Sequence, residues 1–256
     1  MRITFLGTGS AMPTGERFQT GLLLQSGDDR LLVDCGSGVI HGLAQTNVGY
    51  EHVEALLLTH HHLDHVSDIL PLLKARWLDG QEAMTIVGPE GTPELIRDLL
   101  DVHEYMQGRL DLTLRTVGPT TGDERHAIAG FDVAAMETRH SMYCQAYRFE
   151  PHGESGPAFV YSGDSEAFSG LIEFADGAAV LAHDCSFPDG IDVSNHPTPS
   201  ELGETLAEAD AEVGRVYLTH LYPHTQGNQE EMLQSVGHHY DGDVRFARDG
   251  LSVDVN

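Results

Sequence analysis

The sequence predicts an α/β protein in which two β-sheets pack face to face with helices on their outer sides, as one domain over residues 1–256. Three observations lead there. Apolar runs of strand length recur along the chain. Segments with helical spacing follow them. The composition, 40% hydrophobic with 28 Gly in 256 residues, is that of a globular chain long enough for a substantial core.

Taken in order, Ile3 to Leu6 reads as an opening strand that ends in Gly7-Thr8-Gly9. Gly21 to Gln25 and Arg30 to Asp34 read as two strands joined by the turn Ser26-Gly27-Asp28-Asp29. Val39 to Gln45 predicts a short helix, Val53 to Thr59 an apolar strand, Ile69 to Trp77 a helix and Thr85 to Val87 a strand. Pro93 suits a helix start, and Leu95, Ile96, Leu99 and Leu100 follow at helical spacing. Leu110 to Val117 alternates like a half-buried strand. Further strands are expected at Phe131 to Thr138, Cys144 to Glu150, Phe159 to Ser162, Val180 to Asp184 and Val216 to Thr219. Helices are expected over Ser200 to Ala209 and Glu230 to His238. Val244 to Phe246 and Leu251 to Val255 predict a closing hairpin through Asp249-Gly250.

The charge is lopsided. There are 40 Asp+Glu against 14 Lys+Arg, a formal net charge of −26, and Lys74 is the sole lysine. Such a surface repels phosphate backbones and anionic lipid at ordinary salt. No Lys/Arg-rich run offers a local exception. Near-absence of lysine beside abundant carboxylates resembles a salt-adapted, halophilic composition. At molar salt the Debye length is ~3 Å, so net repulsion barely reaches past contact. No stretch approaches the ~18 consecutive apolar residues of a membrane span, and MRITFLGTGS lacks the features of a signal peptide. Cys35, Cys144 and Cys185 are too few and too scattered for a disulfide framework. The expectation is a cytoplasmic protein with reduced thiols.

The chemistry concentrates in Thr59-His60-His61-His62-Leu63-Asp64-His65, which contains H-x-H-x-D-H. From the residue frequencies, chance supplies that pattern about 0.005 times in a chain of this length. The cluster follows an apolar strand, so a rigid element holds it. Alternate positions of an extended segment point the same way, which lets His60 and His62 share one metal ion. Asp64 and His65, at the start of the next helix, can face a second. Imidazole with carboxylate selects zinc-like or manganese-like ions over Ca²⁺. His61 points elsewhere and reads as an outer or surface histidine. His140, Asp164 and His220 each lie just beyond a strand. Together they supply the further imidazoles and the bridging carboxylate that two ions ~3.5–4 Å apart require.

With those residues in view, the sequence resembles the metallo-β-lactamase-fold hydrolases, and within them the ribonuclease Z branch. The resemblance runs over nearly the whole chain. Phe5-Leu6-Gly7-Thr8-Gly9 through Pro13-Thr14-Gly15-Glu16-Arg17 is similar to that branch's GT-containing loop and P-x-K-x-R-N segment, with Gly15 in place of the lysine and Phe18 in place of the asparagine. Leu32-Val33-Asp34-Cys35-Gly36 is similar to the strand ending in Asp-x-Gly, Ala182-His183-Asp184-Cys185-Ser186 to the His-Glu-Ala-Thr motif, and His196-Pro197-Thr198 to the His-Ser-Thr motif.

The resemblance implies a four-layer αββα sandwich and two divalent metal ions, Zn²⁺ or Mn²⁺. It implies His60, His62 and His140 on the first ion, Asp64, His65 and His220 on the second, and Asp164 as the bridge. The expected reaction is phosphodiester hydrolysis by a metal-activated water. Asp64 would orient the nucleophile, Arg17 would touch the substrate, and His196, oriented by Asp184, would protonate the leaving oxygen. Strand-end packing is the other reading of His183 and Cys185. Tyr143, Tyr222 and Met142 adjoin candidate ligands and could line a pocket or belong to the core. A homodimer is expected from the resemblance alone.

One departure is large. Only 23 residues, 141–163, separate His140 from Asp164. Ribonuclease Z usually carries a tRNA-gripping arm there, whereas this span holds two strands and a turn over residues 151–157. The expectation therefore shifts from tRNA to a small phosphodiester or other anionic ester. Three alternatives stand beside it: tRNA 3′-end processing; a sulfatase, lactonase or thioesterase on the same site; and a non-catalytic metal-bound protein.

Overall fold

The computed structural model describes residues 1–153, 156–191 and 193–256. The first half of the chain runs β1 (Arg2–Gly7), β2 (Gly21–Ser26), β3 (Asp29–Val33), α1 (Val39–Ala44), β4 (Ala55–Leu57), α2 (Leu63–Val66), α3 (Ile69–Leu78), β5 (Ala83–Gly88), α4 (Thr92–Val102) and β6 (Asp111–Thr116). The second half runs β7 (His126–Ile128), β8 (Phe131–Glu137), β9 (Gln145–Pro151), β10 (Ala158–Tyr161), α5 (Ser169–Phe174), β11 (Ala178–Asp184), α6 (Pro199–Glu208), β12 (Arg215–Thr219), α7 (Gln229–Gly237), β13 (Asp243–Phe246) and β14 (Ser252–Asp254).

The strands form two seven-stranded sheets, ordered β14-β1-β2-β3-β4-β5-β6 and β13-β12-β11-β10-β9-β8-β7. Both are mixed and built alike. Antiparallel pairing joins β14 through β3 and β7 through β10. Parallel pairing then joins β3 through β6 and β10 through β13. The parallel crossovers carry the helices, as such connections generally do.

Alternation along the strands divides the core into layers. Ile3, Phe5, Leu22, Leu24, Leu31 and Val33 turn to the inner face and meet Phe131, Val133, Tyr147, Phe149, Phe159 and Tyr161 of the other sheet. Leu23, Leu32, Leu56 and Ile86 turn outward onto Leu43, Leu72, Leu73 and Ile96 of the first helical layer. Val160, Leu181, Val216 and Leu218 do the same against Ile172, Leu202, Leu206 and Met232. The result is the αββα sandwich. Local signals reinforce it. In α6, Thr198 and Glu201 form a reciprocal capping box ahead of Pro199.

Most expected elements appear within a residue or two of their places. Two were unforeseen, β7 with three residues and α5 with six, both too short to show a period. The closing hairpin does not form. Strand β13 pairs parallel with β12 at the edge of the second sheet, and β14 pairs antiparallel with β1 in the first. The reason is Asp249. Its Oδ1 accepts from the Thr8 amide (2.9 Å) and hydroxyl (2.6 Å), and its Oδ2 from the Phe18 amide (2.6 Å). The turn is thereby fastened to the loop after β1, and the chain crosses between sheets there.

The span between His140 and Asp164 holds strands β9 and β10, paired antiparallel. Glu154 and Ser155 of the turn expected over 151–157 lie outside the described residues. No helix among the described residues is long and apolar enough to cross a membrane.

Replacing Asp249 with Ala strips three donors of one carboxylate. The Asp249→Ala chain should unfold in urea with stability lowered by about 2 kcal/mol, the usual magnitude for bonds to a charged acceptor.

Candidate metal centre

The functional side chains gather where the parallel strands of both sheets end. Such C-terminal strand edges are where open α/β sheets present ligand sites. His60 to His65 leave β4, Asp164 leaves β10, Asp184 closes β11, His220 leaves β12 and His140 follows β8. Two glycines make the approach close. A Cβ on Gly36 would lie 1.9 Å from the Asp64 carbonyl oxygen, so the chain after β3 can pass under α2 only without a side chain. Gly163 holds φ +58° against Cys144 and Thr59, and turns the chain so that Asp164 enters the centre.

Seven residues converge. His60 Nε2 and His140 Nε2 lie 3.0 and 3.1 Å from His62 Nδ1, and 3.6 and 3.7 Å from Asp164 Oδ2. On the other side, His220 Nε2 lies 3.1 Å from Asp64 Oδ2 and 3.3 Å from Asp164 Oδ2. His65 Nε2 lies 3.2 Å from Asp164 Oδ1. One ligand atom from each of His60, His62, His140 and Asp164 falls within 4.8 Å of the others, and so for Asp64, His65 and His220. Asp164 faces both groups.

Hydrogen bonds on the far sides of the rings fix which nitrogen carries the lone pair. His140 Nδ1 meets the Asn195 carbonyl at 3.3 Å, which can only accept. His65 Nδ1 meets Asp34 Oδ2 at 2.8 Å. Both rings therefore hold the proton on Nδ1 and aim the Nε2 lone pair inward. His65 Nε2 and Asp164 Oδ1 are buried and find no hydrogen-bond partner, although they face each other. Two acceptors in contact, both dry, are the arrangement a cation resolves. The imidazole and carboxylate donor set suits divalent transition metals.

The electrostatics agree. Burial holds the His60 imidazole well below its ordinary pKa, aided by the neighbouring His65. With no ion present, burial works to lower the His65 pKa, but Asp164 and Asp34 outweigh it and raise it well above its ordinary value. Burial pushes Asp164 upward, but positive charge on His220, His65 and His60 in turn outweighs it and holds the carboxyl well below the usual range; a bound cation would take the place of those inward protons. Asp164 is thus an anion in a dry site.

Asp34, Thr59, Ser186 and Asn195 support the centre without having been singled out for it. Asp34 Oδ1 accepts the Thr59 amide at 2.8 Å, and the Thr59 hydroxyl reaches both Asp34 and His60 Nδ1. The visible signals are that Asp34 ends its strand in the Asp-x-Gly segment and that Thr59 adjoins His60; Ser186 and Asn195 carry none. Three of the four non-glycine residues with positive φ among those described, Asp34, Asn195 and His220, belong to this cluster. Backbone strain of that sort collects where a site must over-determine its geometry.

Near the second group, His196 Nδ1 lies 2.6 Å from Asp184 Oδ2, and its ring stacks on His220 at 5.3 Å. Burial works to lower the His196 pKa, but Asp184 beside it prevails and pushes it up to about 9. A cleft of about 370 Å³ opens over the centre, lined by Ala11, Leu63, Ser141, Asn195, His196 and Tyr222 together with four of the ligands. Arg17 is not in that lining. Its guanidinium donates to the Thr8 hydroxyl and, at 2.9 Å, to the Ala247 carbonyl, so it fastens the loop after β1. His61 turns away to the Thr92 hydroxyl at 2.8 Å. His183 is buried with Nδ1 on the Asp184 carbonyl, and Met142 and Tyr143 are exposed outside the cleft lining, Tyr143 facing a separate surface cavity with Glu90 and Pro119. The three cysteines are free and buried, and burial raises each thiol pKa well above normal.

Comparison with known proteins accords with this geometry. The family model for Anti-Pycsar protein Apyc1 matches residues 1–246. The chain belongs to the Apyc1 family. Its relatives within the metallo-β-lactamase fold include the ribonuclease Z of Mycolicibacterium gilvum, 31% identical over 90% of this chain and 87% of that one. The probable metallo-hydrolase YhfI of Bacillus subtilis is 30% identical over 98% of both chains. The YhfI crystal structure superposes with a TM-score of 0.82 over 99% of each chain. The short form of human tRNase Z, at 21% identity, shares the fold with a TM-score of 0.78 over the full length of both. This Apyc1-family chain is a metal-dependent hydrolase.

Divalent metal should raise the melting temperature of chelator-stripped protein, because binding to the folded state alone adds stability. Replacing Asp164 with Asn should remove most of that increment. A wild-type melting temperature indifferent to Zn²⁺ and Mn²⁺ would contradict the metal centre.

Proposed function

We propose that the protein is a dinuclear, ribonuclease Z-like phosphodiesterase acting on small phosphodiesters. The observation that carries this reading is the pair of ligand groups with Asp164 in one and against His65 and His220 of the other, beneath a cleft lined also by His196, which Asp184 holds from behind. In this reading His60, His62 and His140 hold one ion, Asp64, His65 and His220 the other, and Asp164 bridges. Bound divalent ions supply the acidification of water and the stabilisation of phosphoryl charge. The Asp64 carboxylate orients the attacking water and takes its proton. The leaving oxygen receives its proton from His196 Nε2, while Asp184 holds the ring by Nδ1 and stabilises its charged form. Tyr222, whose phenol is pushed up to about 12 by burial and by Asp64, Asp164 and Asp184, stays protonated and can donate to the substrate.

Substrate size follows from what surrounds the cleft. No Lys or Arg is among its lining residues, and the hairpin of β9 and β10 leaves no arm between His140 and Asp164. A long RNA backbone needs repeated cationic contacts. A single diester needs only the centre itself. Precursor tRNA is the second reading, favoured by the ribonuclease Z relative.

Asp64→Ala should remove nearly all hydrolysis of bis-p-nitrophenyl phosphate, and near-wild-type turnover would refute the mechanism. His196→Ala should cost a dinucleoside monophosphate, which expels an alkoxide, about a hundredfold or more, and the nitrophenyl ester far less, since nitrophenolate needs little protonation. Cleavage of precursor tRNA in molar KCl faster than of small diesters would overturn the substrate assignment.

A further inference from the structure

Ser186, named above only as a neighbour of the centre, is buried where Asp184, His196 and His220 meet. Its hydroxyl lies 2.6 Å from Asp184 Oδ1, 2.9 Å from His220 Nδ1 and 3.3 Å from His196 Nδ1. A hydroxyl has one proton and two lone pairs, so the directions can be assigned. His220 turns Nε2 toward Asp64 and Asp164, which as a ligand requires the lone pair there and the proton on Nδ1. Nδ1–H then donates to Ser186 Oγ, and Ser186 Oγ–H donates to Asp184 Oδ1, the shortest of its contacts. The His220 carbonyl at 2.9 Å is the competing acceptor. Asp184 Oδ2 receives His196 Nδ1–H.

The same wiring occurs in the first half of the chain. There Asp34 holds His65 directly at 2.8 Å and reaches His60 through the Thr59 hydroxyl, 2.9 Å from Asp34 Oδ2 and 3.0 Å from His60 Nδ1. In each half a buried aspartate at the end of a strand orients one imidazole directly and a second through a hydroxyl. In the first half both imidazoles face the metal centre. In the second, one faces it and the other is His196.

We propose that Ser186 is a positioning residue that makes one carboxylate, Asp184, hold both the metal-facing His220 and the proton donor His196. The second ion's binding and the donor's orientation are then set by a single group, and neither can relax without the other. This inference rests on the proposed phosphodiesterase reading for the His196 arm, while its His220 arm rests on the metal centre alone.

The test compares Ser186→Ala, Ser186→Cys and Ser186→Thr in the full chain, with Zn²⁺ affinity read by competition against a chromophoric chelator. In the Ala and Cys variants one of the two Zn²⁺ affinities should fall by about ten- to a hundredfold, the usual effect of losing a ligand's outer partner. The other should stay within about threefold, and the hydroxyl of Ser186→Thr should restore the loss. Turnover of a dinucleoside monophosphate should fall several-fold more than that of bis-p-nitrophenyl phosphate, in kcat and not in KM. Cysteine matches serine in shape, so it decides the matter if the Ala variant fails to fold. Folded Ala or Cys variants with both affinities within about twofold of wild type overturn the proposal, as does a Thr variant no better than Ala. If the wild-type protein cleaves no diester, the phosphodiesterase reading falls, and the Zn²⁺ affinities still decide the role of Ser186.

Discussion

Everything at the site depends on one unfavourable placement, the ionised Asp164 carboxylate in a dry cleft between two sheets. An anion taken out of water costs several kcal/mol unless it is paired and hydrogen-bonded. Here the nearest groups are imidazole nitrogens, and at least His65 and His140 are bonded elsewhere in a way that leaves lone pairs pointing at it. A bound cation, or in its absence protons on His65 and His220, reconciles such a cluster. The fold supplies the enforcing scaffold, because the rings come from three different strand ends, and those of His60, His65, His140 and His220 are each anchored behind by a hydroxyl, carboxylate or carbonyl.

The two halves share more than strand order. Each runs through antiparallel strands into parallel ones, and each ends its first parallel pair near a buried aspartate. The halves then diverge in chemistry. The first delivers four ligands from a single loop, His60 to His65. The second delivers His140, Asp164 and His220 one by one, from three strand ends spread over 81 residues of chain, 140–220. A site of this kind cannot be made by either half alone.

Much of this was legible in the sequence for physical reasons. A seven-residue loop with H-x-H-x-D-H is improbable by chance, and strand-end His and Asp residues are few, so the ligand positions stand out. Strands with two apolar faces, such as Leu22-Leu23-Leu24 and Leu31-Leu32-Val33, announce burial on both sides and hence a layered sandwich. What was hidden depended on contacts between distant residues. The apparent hairpin around Asp249-Gly250 satisfies every local turn rule, and only the bonds from Thr8 and Phe18 send its strands to different sheets. Arg17 sits in a segment that invites a substrate role, yet it lies outside the cleft lining, with Nη1 on Thr8 and Ala247. Thr59 and Ser186 are ordinary residues in sequence and become special only through what lies behind them.

The crossover at Asp249 has a consequence for how the chain comes together. The edge of the first sheet pairs Arg2 with Asp254, residues 252 positions apart. The loop that follows β1 is in turn bridged to Leu221, next to His220. Strand β1 pairs early with β2, but its other edge has no partner until β14 exists. Contacts so far apart in sequence slow folding, and they tie both ends of the chain to the loop beside the metal-facing His220.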